Sequence, residues 1–200
     1  MTRRIFIMRH AMPQNPTDVI YGNLPGFPLS DLGKAQAREA GEFMESIKLD
    51  FVYTSPRERA EETGQIVAML NLGHPQIIVD PRLRDLGLGK YQGKIAYNQW
   101  HEQRQKYLAQ QEIGDGEFES PVSVQSRMRE AITRAIQKHP DASLLFVSHG
   151  DPIDYVLQWV ERGQLKGLAQ YSVHKASIWE LDFIHHRVSN IFQATIKLPR

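Results

Sequence analysis

Arg3-Arg4-Ile5-Phe6-Ile7-Met8-Arg9-His10 reads as a strand that ends in a guanidinium and an imidazole. Ile5 to Met8 form a continuous apolar run, the pattern of a strand buried on both faces of a parallel sheet. Ala11-Met12-Pro13-Gln14-Asn15-Pro16 breaks regular structure directly after it. In open α/β sheets ligands bind outside the carboxyl ends of the strands, so this junction is where such a fold would place chemistry. A histidine beside an arginine suits a phosphoryl group. The imidazole can attack phosphorus, and the guanidinium neutralises its oxygens.

Leu144-Leu145-Phe146-Val147 repeats the arrangement, ending in Ser148-His149-Gly150, with a helix expected from about Pro152 to Val160. Between the two runs the chain alternates. Tyr21 to Pro28 is a loop rich in Gly and Pro, Ser30 caps a helix, and Leu32, Ala35, Ala40, Phe43, Met44 and Ile47 approximate its apolar face. Phe51-Val52-Tyr53 is a short strand, and Thr54-Ser55-Pro56 turns into a helix reaching about Leu70. Ile77-Ile78-Val79 is a further strand, followed by a loop from Asp80 to Gly93. A polar helix is expected near Ala96 to Gln110, a break at Gly114-Asp115-Gly116, and another helix from Val122 to Lys138. Ile178 to Phe183 and Val188 to Ile196 alternate around a turn near His185-His186-Arg187, as in a terminal hairpin. The expected architecture is a single α/β domain over residues 1–200, with no internal repeat or linker.

Composition narrows the function classes. The 200 residues carry 24 Lys and Arg against 23 Asp and Glu, and the net charge of +1 makes no case for nucleic acid or a membrane as partner. Without cysteine there is no thiol nucleophile, disulfide or thiolate metal site. The apolar core of the N-terminal strand is too short for a signal peptide, which makes a cytoplasmic protein the expectation. His74, His101, His139 and His174 lack an i, i+4 partner, and adjacent strand residues such as His185 and His186 point to opposite faces, so no metal ligand set emerges. Tyr97, Trp100 and Tyr107 are read as packing residues.

Two more stretches carry chemistry. Thr54-Ser55-Pro56-Arg57-Glu58-Arg59-Ala60-Glu61-Glu62-Thr63 sits at a strand-to-helix junction, where free N–H groups and Arg59 could receive an anion. Alternatively, Arg57 and Arg59 form intrahelical pairs with Glu58, Glu61 and Glu62. Leu83-Arg84-Asp85-Leu86-Gly87-Leu88-Gly89-Lys90-Tyr91-Gln92-Gly93 places a carboxylate ahead of a glycine-rich loop.

Together these elements resemble the histidine phosphatase superfamily, the phosphoglycerate-mutase-like proteins. Arg9-His10-Ala11 stands for its Arg-His-Gly. Ser55, Arg59, Ala60 and Thr63 match its Ser-x-Leu-x-Arg-Ala-x-Gln-Thr element. Leu83, Asp85, Gly89, Tyr91 and Gly93 match Leu-x-Glu-x-x-x-Gly-x-Trp-x-Gly, and Ser148-His149-Gly150 matches the strand-end Ser-His-Gly. Pro28-Leu29-Ser30 with Gly33 and Gln36-Ala37 looks like the start of its first helix.

The resemblance implies a three-layer sandwich with a mostly parallel sheet flanked by helices. It implies hydrolysis of a small phosphate ester, without metal or cofactor, through a phosphohistidine on His10; a phosphomutase or a non-catalytic phosphate-binding module are the alternatives. Arg9, Arg59 and a protonated His149 would hold the phosphoryl oxygens, with Gly150 beside them. Asp85, standing where the family commonly has glutamate, would protonate the leaving alkoxide, with Asp151 as the rival acid. The family often carries Asn six residues after the histidine. Pro16 occupies that position here, and Asn15, one residue earlier, is the candidate for its phosphate contact. Ala11 puts a methyl where the family has glycine.

Overall fold

A computed structural model describes residues 3–94, 119–163, 171–184 and 187–194. The helix expected near 96–110, the break at 114–116, Tyr97, Trp100, His101, Tyr107 and the His185-His186 turn lie outside the described residues.

The two apolar runs become β1 (Ile5–Arg9) and β4 (Leu144–Ser148), and they pair in parallel at the centre of the sheet. With β2 (Phe51–Thr54), β3 (Gln76–Val79), β5 (Ile178–Ile184) and β6 (Arg187–Gln193) they form a six-stranded sheet of order β3-β2-β4-β1-β5-β6. β3, β2, β4 and β1 run parallel, and the C-terminal hairpin adds two antiparallel strands on the far side of β1.

Alternation along each central strand divides the core. Phe6, Met8, Val52, Leu145 and Val147 face α1 (Asp31–Met44) and α2 (Glu58–Leu70). Ile5, Ile7, Tyr53, Leu144 and Phe146 face α3 (Pro121–Lys138) and α4 (Gly150–Arg162). Both sides of β1 and β4 are therefore dry, which is why those segments read as unbroken apolar runs. Phe146 has no exposed surface, and its truncation to alanine would cost about 3–5 kcal/mol. The result is the three-layer α/β arrangement.

α1 differs from its expected packing. Ser30 does cap it, accepting from the Gly33 N–H. The buried face, however, is Gly33, Gln36, Ala37, Ala40, Gly41 and Met44, while Phe43 is turned outward. The small residues decide this. A Cβ on Gly33 would lie 1.9 Å from the Met12 carbonyl oxygen, and one on Gly41 would lie 2.7 Å from Leu70 Cδ1. The helix thus presses backbone-close onto α2 and onto the loop that follows His10. Among the described residues no helix is long and apolar enough to cross a membrane.

Candidate active site

Arg9 on β1 pairs in register with Ser148 on β4, and the His10 N–H donates to the Ser148 carbonyl at 2.9 Å. The next residue of each strand is a histidine. The His10 and His149 rings stand 5.0 Å apart between centroids, tilted by 60°, and both are buried.

The loop after His10 is fixed from several sides. The Ala11 N–H donates to Thr63 Oγ1, the Met12 N–H to Gln36 Oε1, and the Met12 carbonyl accepts from Ser30. Ala11 does not take a positive φ, and its methyl joins the core between β1 and α1. Its carbonyl lies 2.7 Å from His10 Nδ1. A carbonyl can only accept, so Nδ1 carries the proton and Nε2 keeps its lone pair. Burial, followed by the charges of Lys175 and Arg59, holds His10 well below its usual 6.5. The ring is therefore a neutral base whose Nε2 carries the lone pair.

Arg59 enters from the first turn of α2 and is fully buried. Its Nε donates to His10 Nε2 at 3.2 Å. Its Nη2 shares hydrogens among the Gly22 carbonyl at 2.7 Å, Asp85 Oδ2 at 3.1 Å and His149 Nδ1 at 3.1 Å. The face of Tyr21 covers the guanidinium at 4.5 Å. The alternative of intrahelical pairing does not arise: Arg57 donates to the Asn23 carbonyl, while Glu58 and Glu62 accept from the N–H groups of Gly26 and Leu29.

His149 departs from the expected charge. Arg59 Nη2 can only donate, so His149 Nδ1 accepts and its Nε2–H donates to Ser55 Oγ at 2.7 Å. Burial first, then the charges of Arg59 and Lys175, place it well below 6.5. It is a neutral hydrogen-bonding group in the unliganded site, whereas the protonated form is the expectation for the phosphate-bound one; the sequence did not reveal how many cations surround it.

Arg9 donates to the Val173 carbonyl through Nη1. A Cβ on Gly150 would lie 3.2 Å from the Arg9 guanidinium carbon, so the glycine gives that side chain its room. Arg9 Nε and Arg59 Nη1 are buried N–H donors without a hydrogen-bond partner. Buried polar groups are ordinarily satisfied, so two such donors on side chains gathered around two histidines are suited to receive the oxygens of an anion.

Asp85 closes the cluster, with Oδ2 on Arg59 and 3.4 Å from His149 Nδ1, and Oδ1 accepting from the Leu86 N–H. Burial raises its pKa; Arg59 opposes, and Asp151 in the first turn of α4 adds to the rise. Its backbone is clamped by residues that reading the sequence left out. Arg127 of α3 donates to the carbonyls of Arg82, Arg84 and Asp85, and Asn23 Nδ2 donates to the same Asp85 carbonyl. Arg127 is itself held by a two-point pair with Glu119 at 2.7 and 2.9 Å. The sequence did carry a signal for it: a charge in the apolar stripe of Val124, Met128 and Ala131.

Of the expected residues, His10, Arg9, Arg59, Asp85, His149 and Gly150 come together. Asn15 does not join them: both ends of its amide bond the Val19 backbone, closing a turn. Among the described residues no group of three or more His, Asp or Glu side chains could hold a metal ion.

A family model described as histidine phosphatase superfamily (branch 1) matches residues 5–192. A protein of Hydrogenobacter thermophilus with the provisional name phosphoserine phosphatase 2 is 27% identical over 187 residues, covering 90% of this chain and 89% of that one. A 2,3-bisphosphoglycerate-dependent phosphoglycerate mutase of Thermoplasma acidophilum is 28% identical over 178 residues, covering 88% and 85%. Among solved structures, a mycobacterial glucosyl-3-phosphoglycerate phosphatase complexed with VO3 superposes with a TM-score of 0.81 at 22% identity, covering 97% of this chain and 98% of that one.

Proposed function

Because the chain belongs to the histidine phosphatase superfamily, we propose that it hydrolyses phosphomonoesters through a phosphohistidine on His10. The observation that carries this reading is the 2.7 Å contact between His10 Nδ1 and the Ala11 carbonyl. It directs the lone pair of Nε2 toward Arg59 and the unpaired donors of Arg59 and Arg9.

In the first step the Nε2 lone pair forms the bond to phosphorus while the ester P–O bond breaks. Charge on the transferring oxygens is met by Arg9 and Arg59, so catalysis is positioning plus electrostatics. The alkoxide leaves with a proton from Asp85, whose burial favours the acid form. In the second step water attacks phosphorus, the P–N bond breaks, and the Asp85 carboxylate takes the water proton, releasing orthophosphate and restoring the site. A dianion in the pocket also draws a proton onto His149, since its field reverses that of the surrounding arginines.

Quenching with labelled substrate under conditions that spare acid-labile bonds should trap a base-stable adduct on the peptide containing His10. Label elsewhere, or near-normal turnover by His10→Ala, refutes the assignment. A phosphomutase is the second reading, and it rests on the likeness to the Thermoplasma mutase. Incubation with 3-phosphoglycerate and a bisphosphoglycerate primer separates the two: a mutase yields the 2-isomer, a phosphatase yields orthophosphate.

A further inference from the structure

We propose that Lys175 is a third cationic contact for the phosphoryl group, set beside His10 by the turn that leads into β5 and held there by Tyr21. The proposal rests on the active-site reading above.

The turn is fastened to the nucleophile strand. The Arg9 N–H donates to the Ser177 carbonyl at 3.1 Å, and the Ala176 N–H donates to the His10 carbonyl at 3.4 Å. Ala176 is fully buried with φ of 58°. That left-handed conformation costs a non-glycine residue about 1–2 kcal/mol, and such strain persists only where surrounding structure fixes it. The Lys175 ammonium donates to the Tyr21 hydroxyl at 2.9 Å, and the same Tyr21 ring covers Arg59.

Lys175 Nζ lies against Tyr21, and the charges that bear on it are those of Arg9 from β1, Arg59 from α2 and the Asp85 carboxyl, while its own charge bears on His10 and His149. Asp151 of α4 bears on Asp85. Among the described residues Lys175 makes no ion pair. A half-buried ammonium set against two guanidiniums does not stabilise the empty protein, since buried charges are normally paired. Burial, then Arg9 and Arg59, hold it well below its usual 10.5, with Asp85 opposing. A phosphoryl group in transfer presents three equatorial oxygens. Arg9 Nε and Arg59 Nη1 are two unpaired donors, and Lys175 supplies a third. An arriving dianion reverses the local field and draws a proton onto the amine.

Calorimetric titration with inorganic phosphate at pH 8, in buffers of different ionisation enthalpy, measures affinity and proton uptake together. Wild type should take up protons on binding. Lys175→Met should bind about 10- to 100-fold more weakly, the loss of one charge-assisted hydrogen bond, and should take up fewer protons. Lys175→Arg should keep most of the affinity yet lose the same share of the uptake, because a guanidinium is charged throughout. The thermal midpoint of unliganded Lys175→Met should hold or rise, because an amine without an ion pair beside Arg9 and Arg59 does not stabilise the empty fold. Wild-type affinity and uptake in Lys175→Met, or a midpoint lowered by several degrees, overturns the role of Lys175 alone. Failure of wild type to bind phosphate overturns the active-site reading with it.

Discussion

His10 and His149 face each other across 5.0 Å because they cap two neighbouring parallel strands whose last residues, Arg9 and Ser148, are in register. Both rings accept from Arg59, His10 through Nε2 and His149 through Nδ1, while their N–H groups turn to the Ala11 carbonyl and to Ser55. The strand pairing sets the geometry, and the buried cations set the protonation.

Asp85→Asn keeps the size of the side chain and removes its donatable acidic proton. An aryl oxide leaves readily without a proton and an alkoxide does not. The variant should therefore lose on the order of 10²–10⁴ in phosphorylation rate on alkyl phosphates and much less on p-nitrophenyl phosphate. Single-turnover measurement is needed, since hydrolysis of the intermediate can hide the first step. Equal losses on both esters would make Asp85 a positioning group. Asp151→Asn, measured in the same way, should show no such discrimination.

Arg127 should influence the same discrimination from a distance. Arg127→Met removes the donors from three carbonyls of the Asp85 segment and leaves Glu119 with Arg84 as an ion-pair partner. Loss of stability of up to about 3 kcal/mol is expected from breaking the buried pair, read by denaturant unfolding. The rate should fall more on alkyl than on aryl esters, as for Asp85→Asn. A uniform fall would mean that Arg127 serves folding without orienting the acid.

The pH profile tests the neutral histidines. His10 and His149 are both held well below 6.5, so protonation of the nucleophile should depress kcat/KM, referred to the substrate dianion, only below pH 6.5. An acid limb that begins at or above 6.5 would contradict this. The same shift makes stability fall on acidification. Below 6.5 the unfolded chain binds protons that the folded imidazoles refuse, and the loss accumulates down to their folded pKa values.

Turnover is expected to survive excess chelator. Arg9 and Arg59 already supply the positive charge that a divalent ion would bring to phosphoryl oxygens. Loss of activity in chelator, restored by an added metal, would refute this.

The central strands were legible because burial on two faces leaves unbroken apolar runs in Ile5–Met8 and Leu144–Val147, and the terminal hairpin because apolar and polar residues alternate along its sequence. The face of α1 was not legible, because glycine carries no hydrophobic signal although Gly33 and Gly41 make the closest approaches. His10, Arg59 and His149 stood out through their places at strand ends and a helix start, and Asp85 through its place ahead of a glycine-rich loop. Lys175 had no such mark. A lone lysine before a strand acquires meaning only once β5 is known to lie against β1. The neutrality of His149 was hidden for a related reason: field strength depends on groups far apart in sequence.

Both hydrogen-bonding edges of β1 are completed by strands made much later, Ile5 meeting Leu144 on one side and Leu181 on the other. During synthesis β1 is thus made before either of the strands that pair with it. Until β4 and β5 emerge, an apolar segment with two open edges has no strand partner, and it is a ready docking point for holdase chaperones and for other nascent chains. Activity in a translation time course should therefore lag behind the appearance of chains that stop short of β5, because no truncated product can assemble the pocket around His10.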